Sequence, residues 1–533
     1  MRMNHLDTQR KHSIFDDVLG PIMSGPSSSH SAGCARIGKM TQLLYGREIS
    51  HAEVVFEENG AYPETYIGQG SNFGFTGGLL GYQTDDPRMK DAVKIAKDEG
   101  KEIIFRKESL GLHHPNEARI DVFNKAGEVE VSVLTFSTGG GMFEIVRLNG
   151  FNVFIDGYIR QLFLCVKEEA GEKWVSWLEE ENIPYEKQRK ERQILFTIPD
   201  EKGEAEEKLK HQEEKQDKTI LWLRTAPVIM PAALKKDGEP VFTTAKEALL
   251  YNQDKNKEAW ELAIDYECSI GLVTREEVWH LAEHVLEIME HAMTPPDPEE
   301  TEKYGFLPYQ CRDMQKVRMK KKGIDTGVLN EAALSAIAVM ENSCAHNLIV
   351  AAPTAGSSGV IPGAVIAAGK QSGAGKDELI KALLACGLAG VFIANQASFG
   401  AEVAACQAEN GSSSAMAAAG VVQLLGGTVQ QAFQASSLAL QNMLGLVCDP
   451  VGGLTEIPCI NRNVIAMSNA VMSANMVLWG YDPVIPLDET ILSMYEVGQM
   501  LPDKLRCTCK GGLCTTPTGE CIAEQLKAHR QKL

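Results

Sequence analysis

Ala382-Leu-Leu-Ala-Cys-Gly-Leu-Ala-Gly-Val-Phe-Ile-Ala394 is the longest uninterrupted apolar run in the chain, and its reading decides the fold. Its thirteen residues fall well short of the roughly 20 that a bilayer crossing needs, so the run predicts a helix buried in a protein core. The alanines and glycines permit close backbone approach, and the absence of charge implies other helices on every side. It belongs to a set of Ala-, Leu-, Met- and Gly-rich segments: Glu258 to Met293, Leu329 to Asn342, Lys376 to Asn395 and Ser412 to Leu425. Strand signals nearly vanish beyond about Ala226, so residues 226–533 are expected to form a large all-helical domain.

Toward the N-terminus the pattern changes. Short β-type runs at Glu53 to Glu57, Lys101 to Phe105, Arg119 to Phe123 and Glu128 to Phe136 alternate with glycine and Asp/Asn punctuation, which predicts an α+β domain over residues 1–151. Residues 152–225 are expected to form a small insert or linker. Within it, Val153 to Val166, Glu172 to Glu181 and Gln193 to Ile198 suggest strand, helix and strand, and the charged stretch Asp200 to Lys218 suggests a solvated helix or linker. The expected fold class is thus an α+β N-terminal domain followed by a large all-α domain.

An apolar fraction of 44% with 23% charged residues is ordinary for a globular protein and excludes a disordered or collagen-like chain. The formal charge of -19 repels phosphate backbones, so no nucleic-acid or anionic-membrane partner is expected, and a small-molecule enzyme is favoured. Met1 to His12 has no apolar core and does not read as a secretory signal, so the expected compartment is the cytoplasm. In that reducing setting, metal or cluster ligation explains retained cysteines better than disulfides do.

Two loops concentrate hydroxyls and glycines just before apolar helical segments: Ser24-Gly-Pro-Ser-Ser-Ser-His-Ser-Ala-Gly33 and Ala352-Pro-Thr-Ala-Gly-Ser-Ser-Gly-Val-Ile-Pro362. Such loops aim backbone amides and hydroxyl donors at an anion, and a substrate carboxylate suits both; a capped turn between core elements is the plainer reading of either alone. The run Gly369 to Lys376 is not a phosphate loop, because Ala374 and Asp377 stand where that motif needs Gly and Ser or Thr. Cys406, Cys448 and Cys459 sit at positions marked by Gly or Pro, where thiolates can converge. Three thiolates can hold three irons of a cubane and leave the fourth open as a Lewis acid; three independent core cysteines would look similar.

Taken together, the motifs resemble those of the iron-sulfur-dependent L-serine dehydratases, or L-serine ammonia-lyases, in a single-chain form. Gly25 to Gly33 with Arg36, Thr84 to Arg88, His114 to Asn116 and Gly139 to Gly141 are similar to the family's β part. Ala351 to Gly359, Ser412 to Ala419, Cys448 to Gly453 and Ile457 to Cys459 are similar to its α part. The resemblance implies a 4Fe-4S cluster on Cys406, Cys448 and Cys459, and substrate contacts from Ser27, Ser28, Ser29, His30, Thr354, Gly356 and Ser357; Gln69 is expected to line the same substrate site. It also implies a homodimer, a place in amino-acid degradation and gluconeogenesis, and elimination of water, then ammonia, from L-serine to give pyruvate without pyridoxal phosphate. The alternatives are the same elimination on another β-substituted amino acid or hydroxy acid, and a catalytically silent cluster protein acting as a sensor.

One departure bears on the base. Where similar family members carry Gly-His-Gly-Thr-Asp, this chain reads Gly68-Gln-Gly-Ser-Asn72, so Gln69 replaces the His and Asn72 the Asp. An amide has no useful basicity, which passes the role to His30 as the candidate base, with His113, His114 or a thiolate behind it. The C-terminal segment adds four thiols, Cys507, Cys509, Cys514 and Cys521, one of which is a candidate cap for the open iron.

Overall fold

The computed structural model describes residues 11–214, 218–235, 237–299, 306–320 and 323–530. Residues 1–10, and residues 215–217 of the charged stretch, lie outside them. In strand Val129–Gly139, Val131, Val133, Thr135 and Ser137 point inward, the period of two expected of a half-buried strand. It lies in a six-stranded sheet ordered Glu102–Glu108, His51–Glu57, Glu117–Phe123, Val129–Gly139, Met142–Leu148 and Phe151–Ile155. The first two strands pair in parallel and the rest antiparallel. Helix Gly33–Tyr45 packs on this sheet and against helix Ser71–Leu79.

The single strand expected from Val153 to Val166 is two. Phe151–Ile155 closes the six-stranded sheet, while Gln161–Lys167 enters a separate antiparallel sheet ordered Ile220–Ala226, Gln161–Lys167, Gln193–Pro199 and Glu186–Lys190. The break falls at Gly157, whose φ of +86° turns the chain out of extended geometry. Helices Gly171–Glu180 and Glu204–Glu214 complete this unit, and Leu164, Trp174, Leu178, Phe196 and Leu209 give it a core of its own. Most of the charged stretch is therefore a helix, with Ala205 and Leu209 anchoring it.

Beyond Ala226 the described chain is helical apart from the short strand Leu348–Val350, as expected from the loss of strand signals. Helix Lys376–Gln396 carries the apolar run and is buried from Leu379 to Ile393 except at Lys381. It packs against Ser412–Leu424 and Ala259–Ile270, which cover the run from Ala382 to Ile393. No described helix is long and apolar enough to cross a membrane.

The segment Ser13–Leu19 bolts the N-terminal region to this helix. Ile14 and Val18 sit over Gly387 and Gly390, and a Cβ on Gly390 would lie 2.1 Å from the Val18 side chain, so only glycine admits the contact. Glu267 of the helical domain accepts the Ser13 hydroxyl at 2.5 Å and the Ile14 amide at 2.8 Å. Asp16 pairs with the buried Arg36, and the Tyr158 hydroxyl donates to Asp17 at 2.8 Å.

Burial pushes the Glu267 carboxyl up to about 7, the nearby Asp17 and Asp16 adding to the effect. A raised folded-state pKa contributes stability that is full below the ordinary value of 4.5 and is lost as pH rises toward about 7. Glu267→Gln cannot ionise, so its melting temperature should gain on that of the unmodified protein between pH 5 and pH 7 and keep a constant lead above about pH 8. Thermal melts across that range check this, and a lead that shrinks as pH rises contradicts it.

Candidate active site

Strand Ile22–Ser24 pairs antiparallel with Leu348–Val350, Ile22 opposite Val350 and Ser24 opposite Leu348. Each strand runs into one of the hydroxyl-rich loops, and both loops turn to line a single cleft between the N-terminal and helical parts. Ser27, Ser28, Ser29 and Gln69 form one wall; Thr354, Gly356, Glu402, Glu409, Cys448, Cys459 and Cys507 form the other. The cleft is narrow, with a volume of about 50 Å³, well below that of a drug-sized ligand site.

The loop at 352–362 is held from behind. Ser357 is fully buried and its hydroxyl donates to the carbonyl of Ala352 at 3.1 Å, so it braces the loop instead of facing the cleft. Asn463 accepts the Gly359 amide at 2.9 Å and donates to the carbonyls of Gly356 at 2.8 Å and Cys459 at 2.9 Å, which ties this loop to the first turn of helix Cys459–Leu478. The Thr354 hydroxyl donates to Glu409 at 2.8 Å, and a Cβ on Gly356 would sit 2.9 Å from the same carboxylate. Glycine there lets the acid reach the loop.

The three cysteines come together from separate elements. Cys406 ends a distorted turn, Ala401–Cys406, in which Ala405 has a φ of +61° and a ψ of -167°, a region nearly reserved for glycine. Strain of that kind persists only where the surroundings enforce it. Cys448 is held by a bridge to Arg506, its amide donating to the Leu505 carbonyl at 2.8 Å. Cys459 opens its helix. The Cys406 and Cys448 sulfurs and a Glu409 oxygen all lie within 4.8 Å of one another. Cys459 lines the same cleft outside that tight set, a spread wider than one small ion needs.

Arg462, one helical turn after Cys459, puts a guanidinium N–H 3.5 Å from the Cys406 sulfur and another 2.7 Å from Asp449. Hydrogen bonds with Cys406 and Cys507, with burial, hold the Cys448 thiol well above the usual range, and burial does the same to Cys459. Burial pushes Glu409 up to about 7 and raises Glu402 as well. The donor set, with its adjacent cation and its burial, fits an iron-sulfur group.

His30 is buried behind Ser27, whose hydroxyl accepts its amide at 3.2 Å, and it is not among the residues lining the cleft. Burial pulls its imidazole down to about 4, and its Nε2 has no hydrogen-bond partner among the described residues. His113 is engaged with Glu117 at 2.8 Å, and His114 stacks on Phe136; neither lines the cleft. The Gln69 side chain donates to the carbonyl of Gly453 at 3.1 Å, bridging the two walls. Of the tail thiols, Cys507 lines the cleft, Cys509 and Cys514 lie just behind Pro450, and Cys521 is exposed. Sequence reasoning passed over Glu402, Glu409 and Arg462. The last two stand three residues after Cys406 and Cys459, the helical spacing that places side chains on one face.

The serine dehydratase alpha chain family matches residues 206–514 of this chain. The probable L-serine dehydratase alpha chain of Bacillus subtilis is 36% identical over 286 residues, covering 54% of this chain and 95% of that protein. The L-serine dehydratase alpha chain of Peptoniphilus asaccharolyticus is 34% identical over 284 residues, 53% of this chain and 97% of its own. The probable L-serine dehydratase beta chain of Bacillus subtilis is 45% identical over 159 residues, 30% of this chain and 70% of that protein. The chain belongs to the L-serine dehydratase family, in a single-chain form, and is an enzyme of the lyase class.

The Arg462–Asp449 pair is largely buried, so removing one partner strands the other charge, at a cost on the order of 3 kcal/mol. Arg462→Met should therefore lower the denaturation midpoint markedly, and Arg462→Met with Asp449→Asn should recover a good part of the loss. Equal midpoints for the single and double variants would contradict that reading.

Proposed function

We propose that the chain is an L-serine dehydratase that holds a 4Fe-4S cluster on Cys406, Cys448 and Cys459 and works without pyridoxal phosphate. The observation that carries this is that Cys448, Cys459 and both hydroxyl-rich loops line one cleft, with the Cys406 sulfur within 4.8 Å of that of Cys448. Bound there, the cluster would supply a Lewis-acidic iron toward the substrate's β-hydroxyl. The Ser27–Ser29 loop and Thr354 hold the substrate carboxylate through hydroxyl and amide donors, with Gly356 leaving room and Ser357 fixing the loop. Gln69 spans the two walls and helps set which β-substituent fits.

Removal of the Cα proton is assigned to Glu409, which lines the cleft and is oriented by Thr354. His30, the base suggested by sequence, is given instead the placement of the Ser27 hydroxyl, since its ring stands behind that residue. Loss of the Cα proton and of hydroxide leaves an enamine, which tautomerises and hydrolyses to pyruvate and ammonia. Cys507 is the tail thiol assigned to cap the open position, because it alone of the four lines the cleft. Membership of the family favours serine over other β-substituted amino acids.

The test is anaerobic purification with iron and acid-labile sulfide analysis. About four irons and four sulfides per chain are expected, falling to near zero in Cys406→Ser, Cys448→Ser and Cys459→Ser. One metal per chain without sulfide, as two thiolates and Glu409 would hold zinc, would overturn the cluster reading. With iron content unchanged, Glu409→Gln should lower kcat by about 100-fold or more and His30→Ala by far less. The reverse order would return the base to His30.

A further inference from the structure

Cys509 and Cys514 form a thiol pair that nothing in the proposed reaction uses. Both donate to one acceptor, the carbonyl oxygen of Pro450, at 3.3 and 3.2 Å, which sets their sulfurs side by side. The intervening Lys510-Gly-Gly-Leu513 makes the return possible. Gly512 has a φ of +62°, and a Cβ on it would lie 2.3 Å from an Asp449 carboxylate oxygen, which instead accepts the Leu513 amide at 2.8 Å. Cys509 is exposed and Cys514 is buried, the arrangement of a thiol that meets oxidant first and a partner that resolves it.

We propose that Cys509 and Cys514 form a reversible disulfide that pins the C-terminal tail against Pro450. With a peroxide as oxidant, the exposed Cys509 thiol transfers two electrons, becoming a sulfenic acid as one water leaves. The Cys514 sulfur then attacks that sulfur, forming the S–S bond and expelling the second water. A dithiol returns two electrons and two protons and restores both thiols. The bond removes both S–H donors from the Pro450 carbonyl, and Pro450 lines the cleft beside Cys448. It also fixes the segment that starts at Cys507, whose amide donates to the Cys448 carbonyl at 3.0 Å. The effect on the start of turnover rests on the assignment of Cys507 as the cap; disulfide formation does not.

The experiment treats the anaerobic full-length holoenzyme with one equivalent of hydrogen peroxide, quenches in acid, alkylates free thiols and digests with trypsin, which cuts at Arg506 and Lys510. The expected product is a linked pair of peptides, one holding Cys507 and Cys509 and the other Cys514 and Cys521, lighter by two hydrogens and separated by dithiothreitol. Fragmentation should place the bond at Cys509, and the linked pair should vanish in Cys509→Ser and in Cys514→Ser while persisting in Cys521→Ser. Absence of the linked pair, a bond through Cys507 or Cys521, or its persistence in Cys514→Ser would overturn the proposal. Because the readout is a peptide mass, loss of the cluster reading would leave this result unchanged.

Discussion

Three facing residue pairs, Ile22 with Val350, Met23 with Ile349 and Ser24 with Leu348, fix the geometry on which the rest of the protein depends. The ribbon takes one strand from each part of the chain. Its backbone hydrogen bonds settle the register between them, and a slip of one residue would turn every side chain on the strand to the other face. The serine-rich loop and the Thr354 loop are continuations of those strands, so the register also decides which hydroxyls share the cleft. The Ser13–Leu19 bolt, seated on Gly387 and Gly390, keeps the ribbon from peeling away.

The sulfur side of the cleft depends on a second set of ties. Asp449 accepts from Arg462 and from the Leu513 amide, so one buried carboxylate joins the helix that begins at Cys459 to the tail that carries Cys507. Arg462 reaches on to Cys406 and to the Val447 carbonyl at 2.9 Å, next to Cys448. A single charged pair thus touches every element that supplies a thiol. This economy explains why cysteines so distant in sequence can meet, and why the tail, although last in the chain, belongs to the site.

Much of the fold was legible because hydrophobic period is a local property. The apolar run at Ala382 to Ala394 and the alternation at Glu128 to Phe136 each announce their element from a few residues. The two halves of Val153 to Val166 were not separable in this way, since both are apolar and only the turn at Gly157 sends them to different sheets. In the site, the loops and cysteines were visible as types, but orientation was not. Ser357 and His30 look from sequence like their neighbours Thr354 and Ser29, yet packing turns Ser357 toward the loop backbone and buries His30 behind Ser27. Glu409 was hidden for the opposite reason: a carboxylate in a chain rich in acids gives no local sign that it is half-buried against a threonine and a thiol.

The central claim is that one cleft brings iron, held by Cys406, Cys448 and Cys459, together with the two hydroxyl-rich loops. Anomalous diffraction at the iron edge from crystals grown without oxygen addresses it most directly. The account predicts one compact iron peak bonded to those three sulfurs and facing Ser27–Ser29 and Thr354. Iron bound elsewhere in crystals of active enzyme, or active crystals with no iron at these cysteines, would contradict it.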